Sequence, residues 1–512
     1  MCGSCLPTGN VGAGPGADDG IQGDDVAQGR SAQPRTEAGA APTPAPAAPR
    51  ARRSRRPPSQ LEPIRTDGRA ALARLGRQRR SAAPRRAHGA WAPSPGRPDP
   101  LVVIDATNAR RVPDLVPIRW GRMLATPFTF LRGAPAVLAS DLADSPVSGF
   151  RPQICGDAHC LNFGVFATPE RHLVFDVNDF DETLPGPWEW DVKRLVASIA
   201  VAARVKGLSD DAARDAAIAA AAEYRRAMAQ LAAVPVMDAW YTRLDVDELV
   251  AMVQDRAVKA RMRKGVGKAQ HHTSGQAFEK LTVEVDGERR IADRPPLIEH
   301  RVDRATGMHR VRPVFARYRD SLPDDRQRLL EQFQLVDVAF KVVGVGSVGT
   351  RCHVALFQGR ATDEPLLLQV KEADDSVLSP FLGPSAYRHR GERVVQGQRL
   401  MQAASDLFLG WTSHGNVHFY VRQLRDMKFT INVDALSLDW FTRYGTVCAG
   451  ALARAHSRSC DPSLVTGYLG GGDQFDRAMG SFSLAYADQT ERDHAALAKA
   501  VKRGRIPAEI GA

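Results

Sequence analysis

Apolar residues recur in ordered patterns from Pro100 onward, and the first such stretch is LVVIDATNARRVPDLVPIRWGRMLATPFTFLRGAPAVLASDLA. From Cys155 to Asp181 the pattern predicts two short strands joined by loops. The second, His172 to Val177, is a β-rich run stopped by Asn178 and Asp179. Helical spacing returns over Trp188 to about Val205. A second helix is expected after Ser209, with Ser209 as N-cap and Asp210 and Asp211 in its first turn, where carboxylates meet unpaired backbone N–H groups. It runs to about Ala233, and a third helix is expected over Val246 to Met262.

Beyond these helices, LTVEVDGERRI reads as a hairpin turning at Asp286-Gly287. From Gln334 the period becomes that of strands, in QLVDVAFKVVGVGSVGTRCHVALFQG and PLLLQVKEA. A helix from about Arg388 to Leu407, a strand at HFYVRQL and helices from about Leu438 complete the pattern. No solenoid or propeller repeat is present.

Composition divides the chain in the same place. The 512 residues carry a formal net charge of +11, which suggests a nucleic-acid partner. Residues 1–100, however, hold 16 Lys+Arg against 8 Asp+Glu and 15 of the 34 prolines. With so few core-forming residues this tail is expected to be disordered. The remaining 412 residues hold 53 bases and 50 acids, an ordinary balance for a globular body. Basic clusters at Arg52 to Arg56 and Arg77 to Arg86 suit weak, salt-sensitive contact with nucleic acid or anionic surfaces. A further run of bases, Arg256, Lys259, Arg261, Arg263, Lys264 and Lys268, reads first as a solvated helix face and second as a phosphate-facing one.

No apolar run is long enough for a membrane span. MCGSCLPTGNVGAGPG lacks the basic start and apolar centre of a secretory signal, so a cytoplasmic location is expected. Cys2 and Cys5 form one CxxC, yet Cys352, Cys448 and Cys460 supply no second pair for a zinc site, and the thiols are expected to be reduced.

Candidate chemistry concentrates in CGDAHCLNFG, with Asp157, His159 and Asn162. A carboxylate and a carboxamide at the two ends of a short loop can serve phosphoryl transfer, one orienting a hydroxyl and the other giving an oxygen to Mg²⁺. LVFDVNDFDE follows, a strand that ends in Asp176, Asp179, Asp181 and Glu182, and such crowded carboxylates favour a hard cation. Gly344, Gly346 and Gly349 make a GxGxxG whose flanks alternate like strands. A hairpin over phosphates therefore fits better than a dinucleotide-binding turn, and Lys371 on the next strand can reach those phosphates.

These segments resemble the protein-kinase-like superfamily in its aminoglycoside and choline phosphotransferase form: GDAHCLN, then Asp179-Phe180, then WEWDVKRL with Asp191. The resemblance implies that Asp157 is the catalytic carboxylate, that Asn162 and Asp179 hold Mg²⁺, and that Asp191 braces the loop. Asp176 competes with Asp179, because two spacings fit. Cys155 stands where the superfamily has a histidine. A glutamate normally positions the lysine; here that is Glu392, with Glu372 as the alternative. Because the glycine loop and lysine follow the catalytic loop, the order is circularly permuted. FTRYGTVCAGALARAHS then resembles the helix that ordinarily leads into that loop.

RMLATPFTFLRG, CGDAHCLNFG, NDFDETLPGPWEWDVKRL, RVVQGQRLMQAASD, YVRQLRDMK and YADQTERD together resemble a bacterial family carried as domain of unknown function 2252. The expectation is an α+β, two-lobed, kinase-like fold. Residues 1–100 form its tail, 101–330 the catalytic part of the large lobe, 331–430 a β-rich small lobe and 431–512 the closing helices. The expected function is ATP- and Mg²⁺-dependent transfer to a hydroxyl of a small molecule or protein. AMP transfer from the same pocket, or a non-catalytic nucleotide-binding scaffold, are its rivals.

Overall fold

The computed structural model describes residues 68–511, apart from 252, 254, 255, 272, 273, 343 and 425–430. The expectations for Cys2, Cys5 and the arginines from Arg52 to Arg56 lie outside the described residues. Arg69–Gln78 forms α1, packed on a helix near the C-terminus, so the expected tail boundary at residue 100 moves back to about residue 69. Arg80 donates to Tyr468 O at 2.8 Å and Gly467 O at 2.6 Å, and Arg85 donates to Leu469 O. These guanidinium groups satisfy carbonyls that a helix end leaves unpaired. This second arginine cluster is therefore built into the fold.

Four short helices follow: α2 (Pro100–Asn108), α3 (Val116–Leu124), α4 (Pro127–Gly133) and α5 (Pro135–Leu142). Strands β1 (Gln153–Ile154), β2 (Phe163–Ala167), β3 (Leu173–Val177) and β4 (Leu184–Pro185) carry the acidic segments. The expected helices are α6 (Trp188–Val205) and α7 (Asp210–Ala233), with Ser209 capping α7 through Ala212 N. A short α8 (Val236–Tyr241) follows, and the third expected helix is instead two, α9 (Val246–Ala251) and α10 (Arg256–His271). Lys259 donates to Ala251 O and so caps α9 at the break. Arg256, Arg263 and Lys264 are exposed, as on a solvated face.

After α11 (Ser274–Leu281), strands β5 (Thr282–Val285) and β6 (Glu288–Ile291) form the hairpin, with Asp286 and Gly287 both at positive φ. Next come β7 (Ile298–Glu299), α12 (Arg304–Asp320), α13 (Asp324–Leu330), β8 (Phe333–Lys341), β9 (Cys352–Gly359) and β10 (Pro365–Ala373). Then α14 (Ser379–Leu382), α15 (Arg390–Met401), β11 (Gly410–His414) and β12 (Val417–Gln423) lead to α16 (Leu438–Ser457), α17 (Pro462–Leu469) and α18 (Gln474–Lys502).

The chain is thus α+β. Helices α6, α7, α16 and α18 pack together, and α7 turns Ala213, Ala216, Ala217, Ala220 and Ala221 inward at helical spacing. Those small residues admit α16 closely, and a Cβ on its Gly445 lies only 3.0 Å from Ile199. The six-stranded sheet runs β11-β12-β10-β9-β8-β7, antiparallel throughout. One face buries Leu366, Leu368 and Val370 against Tyr318 and Leu322 of the α12 region. Its other face carries Lys371, beside α15; farther along, Leu367, Val354 and Leu356 lie under Phe278 and Leu281 of α11. Strand β7 and helix α12, which lie before residue 330, belong with this sheet rather than with the catalytic segment.

Candidate active site

Two pairs of short strands bring the acidic segments together. In β1 and β4, Ile154 pairs with Leu184, and in the β2–β3 hairpin Phe163 pairs with Val177. The loop before β2 therefore lies beside the loop after β3, tied by Asn178 N donating to Asn162 O at 2.8 Å. Gly156 makes the closest approach: it has φ +80°, and a Cβ there falls 2.5 Å from Glu182 O.

Asp191, in the first turn of α6, accepts from Cys155 N at 2.8 Å and Gly156 N at 2.9 Å. His456 of α16 reaches the same carboxylate at 3.2 Å, and its other nitrogen meets Tyr224 Oη at 2.8 Å. A buried histidine is thus present at this brace, supplied by a distant helix. Cys155 itself is buried, and burial raises its thiol far above the ordinary range.

Asp157 accepts from Arg194 Nε of α6 at 2.8 Å, with Nη2 of the same ion pair 2.7 Å away and itself donating to Leu131 O, and the Asp157 side chain is 18% exposed. Burial raises its carboxyl to about 6, against the pull of Arg194. His159 Nδ1 accepts from Leu161 N, leaving Nε2 as the protonated nitrogen of the neutral ring, 3.9 Å from Asp157 Oδ2. Burial, with Arg132 and Arg194 nearby, holds this ring well below its ordinary value. Asn162 Nδ2 donates to Asp157 O at 2.6 Å, and among the described residues its amide oxygen has no partner.

The glycine segment links antiparallel β8 and β9, as expected of a hairpin. Its carbonyls at Gly346 and Val348 accept from Arg111, and Val112 N donates to Gly349 O at 2.8 Å. Gly349 is required there: φ is +88°, and an added Cβ meets the Arg111 side chain at 2.9 Å. Gly344 has no such constraint.

Lys371 projects from β10 onto Asp181, which also accepts from Tyr420 Oη at 2.8 Å and lies 3.4 Å from Ser347 Oγ. Burial opposes the charge on Lys371, but Asp179 and Asp181 outweigh it and keep the ammonium protonated. Among the described residues no hydrogen bond or ion pair joins Lys371 to the expected partner Glu392; the carboxylate it meets is that of Asp181, from the loop after β3. Glu372 points elsewhere, onto Arg351 at 2.8 Å. From α15 it is Arg393 that enters, donating to the carbonyls of Asp181, Thr183 and Asp374.

Asp176 is removed from the candidate metal set. Its carboxylate accepts from Arg454 at 2.7 Å to each oxygen, from Val177 N and from Ala403 N, all in the core. The bond to Ala403 also draws the chain away after Met401, which ends α15 earlier than the pattern suggests. Among the described residues Asp179 keeps an open oxygen, since its one bond there is from Asp181 N at 3.3 Å. One cavity is lined by Asp157, Asp179, Asp181, Glu182, Gly346 and Ser347, with Arg111 at its edge. Burial raises Glu182 to about 7.

Among the described residues no three His, Cys, Asp or Glu side chains form a metal cage. Open oxygens on Asp179 and Asn162 suit Mg²⁺, which takes one or two protein ligands and fills the rest with phosphate oxygen and water. Arg194, Arg111, Arg393 and Tyr420 escaped assignment from sequence, and Asp181, read there only as one of the crowded carboxylates, is the partner of Lys371. Three of the four that escaped stand in WEWDVKRL, RVVQGQRL or HFYVRQL, and the signal was their place in those strings.

No curated protein and no solved structure matches the chain. Residues 111–500 match the family DUF2252, described as an uncharacterized protein conserved in bacteria, and the chain belongs to that family.

Proposed function

We propose that this chain is an ATP- and Mg²⁺-dependent phosphotransferase with a circularly permuted, two-lobed kinase-like fold, acting on a hydroxyl group. The observation that carries it is the convergence of Lys371 and Ser347 on Asp181, which lines one cavity together with Asp157, Asp179, Gly346 and Ser347. Strands β8, β9 and β10, then α15, β11 and β12 follow the kinase order: glycine loop, lysine strand, helix, two further strands. The permutation is supported where α16 ends. Gln153 N donates to Ser459 Oγ at 2.8 Å, so that end adjoins the entry to the catalytic loop.

In this reading Asn162 and Asp179 would hold Mg²⁺, which would offset the charge of the nucleotide phosphates. Asp157, an ionised carboxylate above about pH 6, orients the acceptor hydroxyl and takes its proton. Arg194 fixes one Asp157 oxygen and leaves the other free to do so. Lys371 exchanges Asp181 for phosphate oxygen, and backbone N–H groups of the glycine turn cover the phosphates.

One observation favours AMP transfer as a second reading. Beside Lys371 on the same face of the sheet, Arg422 donates to Gln369 at 3.0 Å and to Asn178 O at 3.1 Å, a second cation suited to phosphate. Incubating the full chain with γ- or α-labelled ATP and bacterial extract separates the readings. Phosphoryl transfer predicts γ-label incorporation that Asp157→Asn abolishes, and α-label incorporation supports AMP transfer. Absence of both, with ATP bound, contradicts both enzyme readings.

A further inference from the structure

Arg132 ends α4, a helix that packs against α6 and the glycine turn, and its backbone carbonyl lies 3.3 Å from where a Cβ on Gly346 falls. Its neighbours in charge have partners. Arg194 holds Asp157, Arg111 holds the glycine turn, and Arg119 is bound to Asn108 and Gly133 O. Arg132 alone of these four makes no hydrogen bond or ion pair among the described residues, although its Nε is fully buried. Asp157 and Asp179 are the carboxylates within its electrostatic reach. Arg132 as a whole is half-buried, and its enclosed Nε without a partner is a cost that a ligand anion offsets.

The two cations near Asp179 approach from different sides. Lys371 comes from the sheet and is engaged with Asp181, whereas Arg132 comes from α4, beside the glycine turn, with Asp157 and Asp179 as its neighbouring carboxylates. We propose that Arg132 binds the terminal phosphate of the nucleotide, between Asp179 and Asp157, and stabilises the phosphoryl group as it is transferred. This rests on the proposed function and assigns that site a phosphate-binding residue. The guanidinium offers paired donors to phosphate oxygens, a geometry that a lysine ammonium does not reproduce.

The test compares binding of ATP and ADP, each with Mg²⁺, to the full chain and to Arg132→Met and Arg132→Lys, alongside thermal unfolding. The expected result is that Arg132→Met loses at least tenfold of the preference for ATP over ADP, with ADP affinity changed less than twofold. Arg132→Lys restores part of the preference, and neither variant unfolds at a lower temperature, because no protein partner is lost. An unchanged ATP preference in folded Arg132→Met overturns the inference and leaves the proposed function standing. Unfolding of both variants overturns it too, by revealing a structural role. Failure of the wild type to bind either nucleotide overturns both.

Discussion

Asp176 and Asp179 leave the same strand and end in opposite environments. Around Asp176 each oxygen meets Arg454 and one backbone N–H, and both side chains are at most 2% exposed. Around Asp179 the only hydrogen bond among the described residues is one from Asp181 N, and neither Lys371 nor Arg132 makes an ion pair with it there. The first arrangement is closed and ties the β2–β3 hairpin to α16. The second is open, with carboxylates and cations whose bonding capacity exceeds what the protein supplies. Sequence crowding made both aspartates candidates for a cation; the unmet oxygens distinguish them.

That contrast can be broken at either end. The largest effect is expected at the closed pair: Arg454→Met leaves a buried carboxylate unpaired and should cost about 3–5 kcal/mol in urea unfolding. At the open end Asp157→Asn should keep the fold and lower turnover about 10²–10⁴-fold, the usual contribution of a general base. Wild-type kcat/KM should rise with pH through about 6, where burial places the Asp157 carboxyl.

The smallest effect concerns Glu182, whose carboxyl burial raises to about 7. The folded state holds this proton more tightly than the unfolded chain. Its stabilisation is therefore complete below about pH 4.5 and is lost as pH rises through about 7. Glu182→Gln should raise the melting temperature at pH 8 and leave it unchanged at pH 4.5; an equal shift at both values contradicts the buried-carboxyl account.

Local chemistry was legible in the sequence. The Ser209 cap fixed the start of α7, and Asp286-Gly287 fixed a hairpin, because each acts within a few residues. Asp157, Asn162, Asp179, Asp191 and Lys371 could be named from short strings, and Asp191 does brace the loop through two backbone N–H groups. What the pattern concealed was pairing across the chain. Lys371 meets Asp181 across 190 residues and Arg454 meets Asp176 across 278, and no periodicity encodes such partners. Helix α1 was concealed for a related reason: it packs on α17, and the arginines that follow it cap that distant helix. The short strand GWTSH escaped because it lacks sustained alternation.

The most direct measurement is calorimetric titration of the full chain with ATP, with and without Mg²⁺, for wild type, Asp179→Ala and Lys371→Ala. The account predicts tight binding by wild type only with both components present, and at least tenfold weaker binding by each folded variant. Wild-type affinity in both variants, or no binding by the wild type, contradicts it.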